Sequence, residues 1–283
     1  MDVRFKNQSV FVVAGPTSSG KTVFVTRLVQ FRSELFTNPI PSVRWFYSEE
    51  GGKPPARVTA IKGLQSNWVQ IIEPWDMVVI DDLLIESAGN KDLTAAFTRL
   101  AHHKPCTLVY ITQNLFHKSA DSRTRSLNMH YLVLMKNPRD ATQISHIARQ
   151  MYPKASQALI AAYQSVTANK PYSYLMIDFH QDTPSNLRIR TQIFPNDESH
   201  PVFIIDTPAQ GKKQVRTRLV IPKSYHPMLL ALASAKPKVR TLILKSLDKG
   251  TIKILAQIAA NILHGNIPLD KKRKHRLRKY HRV

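Results

Sequence analysis

The sequence predicts an α/β fold, a mostly parallel sheet flanked by helices, on three observations. Five continuous apolar runs recur along the first half of the chain: SVFVVA (9–14), SVRWFY (42–47), MVVID (77–81), CTLVYIT (106–112) and YLVLMK (131–136). They do not alternate with polar residues, as expected for parallel strands covered on both faces. Amphipathic segments lie between them, and a glycine-bearing loop follows the first run.

The first run enters GPTSSGKT at 15–22, which fits G-x-x-x-x-G-K-[ST]. After it, Phe24, Leu28, Phe31 and Leu35 stand at helical spacing. Strand, loop and helix in that order make a P-loop, against the alternative of a Gly-Ser surface turn. Gly15 and Gly20 permit dihedrals and close approaches that a β-carbon forbids, so the N–H groups of Gly15, Pro16, Thr17, Ser18, Ser19, Gly20, Lys21 and Thr22, Pro16 excepted, are placed to wrap the phosphates of ATP. Lys21, read as a surface-loop group, is expected to reach the β and γ phosphates, and the Thr22 hydroxyl to ligate Mg²⁺.

MVVIDD at 77–82 delivers two carboxylates to the end of a buried strand, the edge at which α/β sheets bind ligands. Asp81 is the candidate for holding Mg²⁺ through a water, and Asp82 for polarising the attacking water, with Glu86 a weaker rival. A solvated strand end is the plain alternative. ITQN at 111–114 ends the next run with amides, so Gln113 or Asn114 is placed to hydrogen-bond the lytic water or the γ phosphate; a loop-capping role competes with this.

Other features lead elsewhere. Cys106 is the only cysteine, which excludes a disulfide framework and a cysteine zinc site, and its apolar run predicts burial. His102 and His103 have no companion at ligand spacing and read as an exposed helix end. Asn90, Lys91 and Asp92 miss the guanine-reading pattern by one residue. Trp45, Trp68 and Trp75 are expected to fill core or interface volume. Two more helices are predicted around Ile144, Ile147 and Met151 and around Leu159, Ala162 and Val166, parted by Pro153, with a further strand at 172–178.

Prolines at 195, 201 and 208, with Gly211 and a Lys-Lys pair, read as a linker, which divides the chain into an ATPase domain at 1–210 and a basic, mainly helical unit at 211–283. The formal charge is +22, and the last 73 residues hold 19 Lys and Arg against Asp248 and Asp270 alone. Such a tail points to a polyanionic partner, because clustered Lys and Arg bind phosphate backbones, or to nuclear addressing. No run of about 18 apolar residues occurs, so no membrane partner and an intracellular location are expected.

These residues together carry a resemblance. GPTSSGKT, VVIDDL, YITQNLFH, SRTRSLNMHYLVLMKNPRDATQISHIARQMYP and YLMIDFH, covering most of residues 9–180, are similar to FtsK/HerA-type genome-packaging ATPases of polinton-like and adintovirus-like DNA viruses, relatives of the poxvirus packaging ATPase. The resemblance implies an ASCE, RecA-like P-loop NTPase that assembles as a homo-oligomeric ring and pumps double-stranded DNA into a viral capsid at its portal vertex. It implies a location at the host nucleus or virus assembly site, or in the virion. The wider superfamily often has Asp-Glu where this chain has Asp81-Asp82, which keeps the identity of the base open. The ending LHGNIPLDKKRKHRLRKYHRV resembles small basic proteins encoded separately by related elements.

Ring ATPases commonly complete each site with an arginine from the neighbouring subunit. Arg123 in SADSRTRS is the first candidate, with Arg125 and then Arg139 of NPRD behind it; a solvated loop arginine or a DNA contact is the alternative. Competing functions are a helicase or segregation motor, a basic DNA-binding protein with a decayed ATPase, and a small-molecule kinase.

Overall fold

The computed structural model describes residues 3–48, 54–64, 68–81, 83, 105–115, 128–140, 142–168, 170–205 and the strand 215–219. Every strand expected from an apolar run is present: β1 (Val10–Ala14), β2 (Val43–Tyr47), β4 (Met77–Asp81), β5 (Thr107–Thr112), β6 (Tyr131–Met135) and β7 (Tyr174–Asp178). To these the chain adds β3 (Thr59–Lys62), β8 (Ile189–Arg190), β9 (Pro201–Ile205) and β10 (Val215–Leu219). The helices are α1 (Lys21–Gln30), the single turn α2 (Arg32–Leu35), α3 (Thr142–Met151) and α4 (Ser156–Thr167).

Among the described residues one sheet has the order β10-β9-β8-β7-β6-β1-β5-β4-β2-β3. The six strands from β6 to β3 are parallel, and from β7 outward each strand runs antiparallel to its neighbour. Strand period two splits the central strands between two cores. Phe11 and Val13 of β1 face Phe24, Val25 and Leu28 of α1, whereas Val10, Val12 and Ala14 face Ile144 and Ile147 of α3 and Leu159 and Ala162 of α4. The fold is therefore a three-layer α/β arrangement, one mostly parallel sheet with a helix-covered core on each face. One strand, β5, separates the strand that enters the phosphate loop from the acidic strand β4, which is the ASCE, RecA-like order.

Three expectations change. The helix after the loop breaks at Phe31, so Leu35 belongs to a separate turn. The stretch taken for a linker contains β9 and β10, paired antiparallel from Val215↔Ile205 to Leu219↔Pro201. Pro201 is tolerated there because it opens its strand. The expected break near 210 falls outside the described residues, as does the expected helical tail beyond 219. Trp45 and Trp68 are fully buried, but Trp75 is 41% exposed in a turn with φ 70°, so it is no core residue. Cys106 is buried as expected.

The antiparallel half is pinned by a buried ion pair. Arg190 Nη2 stands 3.0 Å from Asp178 Oδ2, with side-chain exposures of 8% and 4%. Burial pulls the guanidinium pKa down, and Asp178 opposes that pull. Asp178 also accepts from the His180 N–H and the Thr183 hydroxyl. Removing the acid leaves an uncompensated buried cation, so Asp178→Ala is expected to lose about 3–5 kcal/mol of stability. Denaturant unfolding checks this, and a loss under about 1 kcal/mol, the worth of an exposed pair, contradicts it.

Candidate nucleotide site

The site forms at the C-terminal edge of the parallel strands, where β1 lies between β5 and β6 and the order of strands turns. The β1–β5 ladder runs one residue past the strand, with the Gly15 N–H donating to Thr112 O at 3.2 Å. The chain then turns through Pro16, Thr17, Ser18 and Ser19, closed by Ser19 N–H to Pro16 O at 3.2 Å, and enters α1 at Gly20.

Both glycines are required. A β-carbon at Gly15 would lie 2.6 Å from Met135 Cβ of β6 and 2.7 Å from Ser19 Oγ. Gly20 has φ 95°, a left-handed conformation costly for other residues, and a β-carbon there would lie 2.7 Å from Tyr172 Cδ1. α1 has no side-chain cap and no acid in its first turn, so the positive end of its dipole faces the loop. Within the loop, Ser19 Oγ is buried and has no hydrogen-bond partner among the described residues. A phosphate fits these features: uncapped N–H groups, an orphaned hydroxyl and a cradle that side chains would fill.

Lys21 differs from its expectation as a surface-loop group. It is 7% exposed, and its ammonium lies inside the turn, donating to Gly15 O at 2.8 Å and Pro16 O at 2.9 Å. The loop thus turns two carbonyls toward this cation, and Pro16 O accepts from the Ser19 N–H as well. Thr22 follows on the first turn of α1, partly exposed.

Asp81 ends β4 and is 5% exposed. Met77 and Val79 pack on the α1 side of the sheet, and period two places Asp81 on that side too. Its Oδ2 accepts from the Trp45 indole Nε1 at 3.2 Å, across the pair in which Tyr47 is opposite Asp81. That bond was not legible in the sequence, where Trp45 shows only as an apolar strand residue. Thr22 and Asp81 offer the hard oxygen donors that Mg²⁺ takes along with its waters, so the residues fit that ion.

Gln113 and Asn114 follow β5 on the same edge, both exposed. The Thr112 hydroxyl donates to Asn114 O at 3.1 Å and fixes this bend. Beyond it, the Leu115 N–H donates to Gln143 Oε1 at 3.2 Å, and Gln143 Nε2 donates to Asp140 Oδ2 at 2.9 Å. Hydrogen bonds from Thr142 and then Gln143 hold the Asp140 carboxyl below the usual carboxylate range. The exits of β5 and β6 are thus tied together through α3, a link over 28 residues that no local pattern announces.

Arg139 lies exposed in the turn after β6, on the same edge as the loop, its N–H held by Asn137 Oδ1 at 3.1 Å. Asp82, Glu86, Arg123, Arg125, His102, His103 and residues 90–92 lie outside the described residues. The structure therefore brings together the phosphate loop, Asp81 and the Gln113 segment.

No protein-family model matches this chain, and no curated protein does. Among solved structures it is similar to the genome packaging NTPase B204 of Sulfolobus turreted icosahedral virus 2 in complex with sulfate, at 11% identity and TM-score 0.43, over 67% of this chain and 96% of that one. The same NTPase in complex with ATP-γS gives 11% and 0.43 over 68% and 98%. The DNA-packaging ATPase B204 of Sulfolobus turreted icosahedral virus gives 11% and 0.43 over 66% and 98%.

Proposed function

We propose that this chain is an ATP-hydrolysing motor that translocates double-stranded DNA into a viral capsid, working as a ring of identical subunits. One observation carries the reading: a phosphate loop, a buried acid and a polar amide segment open onto one sheet edge, in a chain of charge +22. The packaging role itself rests on the sequence resemblance across residues 9–180, with virion or host-nucleus location following from it.

In this reading the loop N–H groups and the Ser19 hydroxyl hold the triphosphate of ATP, and Lys21 turns from its two carbonyls to the β and γ phosphates. Thr22 and Asp81 would hold Mg²⁺, which when bound would supply positive charge against the phosphate oxygens. Asp82 orients the attacking water and takes its proton as the water oxygen bonds to the γ phosphorus. The bond to the β–γ bridging oxygen breaks, and ADP and phosphate leave. Gln113 hydrogen-bonds the water or the γ phosphate, and its link through Leu115 and Gln143 to α3 gives the loss of phosphate a route into the fold.

Translocation is tested by displacement of a triplex-forming strand from linear duplex DNA. ATP-dependent displacement is expected, and robust hydrolysis with none contradicts a motor. The tail is tested separately. Because Val215–Leu219 belongs to the sheet, the cut belongs after it, removing residues 221–283 with 15 Lys and Arg against two acids. Weaker DNA binding is expected, with the slope of log affinity against log salt shallower by about 0.9 for each DNA phosphate the tail no longer neutralises, and basal hydrolysis retained. Unchanged affinity and slope assign the tail to nuclear import instead.

A further inference from the structure

Two of the large apolar side chains that stand exposed among the described residues flank the phosphate loop: Val23, at 56%, and Tyr172, at 59%. Val23 follows Thr22 on the first turn of α1. Tyr172 comes from the turn before β7, whose start lies beside the end of β6 because the two strands are antiparallel, Met135 opposite Tyr174. It covers the helix entrance, with Cδ1, Cβ and Cγ at 2.7, 3.0 and 3.2 Å from the position of a β-carbon on Gly20. An open aromatic ring and an open valine therefore border the loop at its exit into α1.

Nothing in the local chain calls for a tyrosine there. The backbone has φ 59°, in the left-handed region, where a bulky residue is strained and a glycine is not. A water-exposed ring gains little from burial, so the fold does not account for it. Residues held in such conformations cluster where a ligand is clamped. The ligand follows from the neighbour: phosphates seated in the loop leave the ribose and base to extend out past its mouth, over the adjoining surface.

We propose that Tyr172 is the platform on which the base of the bound nucleotide stacks. This rests on the reading of the loop as an ATP site and adds to it the residue that holds the base. Stacking needs only a π face, so the platform supplies affinity rather than a hydrogen-bonded choice of base.

The test compares binding of ATP and of inorganic tripolyphosphate, which has no base, to the full-length protein and its Tyr172 variants. Tyr172→Ala is expected to weaken ATP about tenfold while leaving tripolyphosphate unchanged, and Tyr172→Phe to bind both as wild type does. Tyr172→Gly relieves the strained backbone, so its unfolding midpoint should not fall while its ATP affinity does. Equal weakening of both ligands would make Tyr172 a prop for the loop or a subunit contact, and no weakening would leave the ring without this role; either overturns the proposal. If wild type binds neither ligand, the phosphate-site reading itself fails, and this one with it.

Discussion

Lys21→Ala is expected to lower ATP turnover by at least about a hundredfold, the scale of losing one group that stabilises transition-state charge. The structure adds a second cost to the first. With its ammonium donating to Gly15 O and Pro16 O, Lys21 also braces the turn; alanine removes both bonds, and while Pro16 O keeps the Ser19 N–H, Gly15 O loses its Lys21 donor. Nucleotide affinity should therefore fall together with turnover. Lys21→Met separates packing from charge, since it keeps most of the buried stem. Both variants should be inactive, with Lys21→Met unfolding closer to wild type than Lys21→Ala does. Hydrolysis above about a tenth of the wild-type rate in either variant would remove the loop from the mechanism.

Arg123→Ala is expected to bind ATP as wild type does and to hydrolyse it about 10³-fold more slowly, the scale of a missing arginine finger. Phosphoryl transfer spreads charge over the γ phosphate, which a guanidinium meets bidentately. Because the proposed arginine acts on the neighbouring subunit, mixing Arg123→Ala with Lys21→Ala should restore part of the activity. Some interfaces of a mixed ring join an intact loop to an intact arginine. No rescue in demonstrably mixed oligomers, or undiminished activity of Arg123→Ala alone, counts against Arg123. Arg125 and Arg139 are then next, and Arg139 already stands exposed on the nucleotide edge.

What the sequence made legible is what short-range pattern controls. Each continuous apolar run is a strand, because a strand buried on both faces tolerates little else. The phosphate loop was readable because its glycines, lysine and threonine are contiguous and stand between a strand and a helix. Other strands were not: β8 has two residues, β3 is an exposed edge, and β9 begins at a proline. β10 follows prolines, a glycine and a Lys-Lys pair that read as a linker. Within the site, the missing pieces are contacts made by register and tertiary packing: Trp45 to Asp81, Leu115 to Gln143, Tyr172 over Gly20. The burial of Lys21 is of the same kind, since it depends on how the turn folds back on itself.

Coupling of nucleotide turnover at this edge to double-stranded DNA is read out by steady-state ATP hydrolysis of the full-length protein with and without duplex DNA. Stimulation by DNA is expected, lost in Lys21→Ala and diminishing as salt is raised, because phosphate contacts exchange with counterions. Hydrolysis that proceeds at the same rate with and without duplex DNA, at low salt and with DNA demonstrably bound, would contradict it.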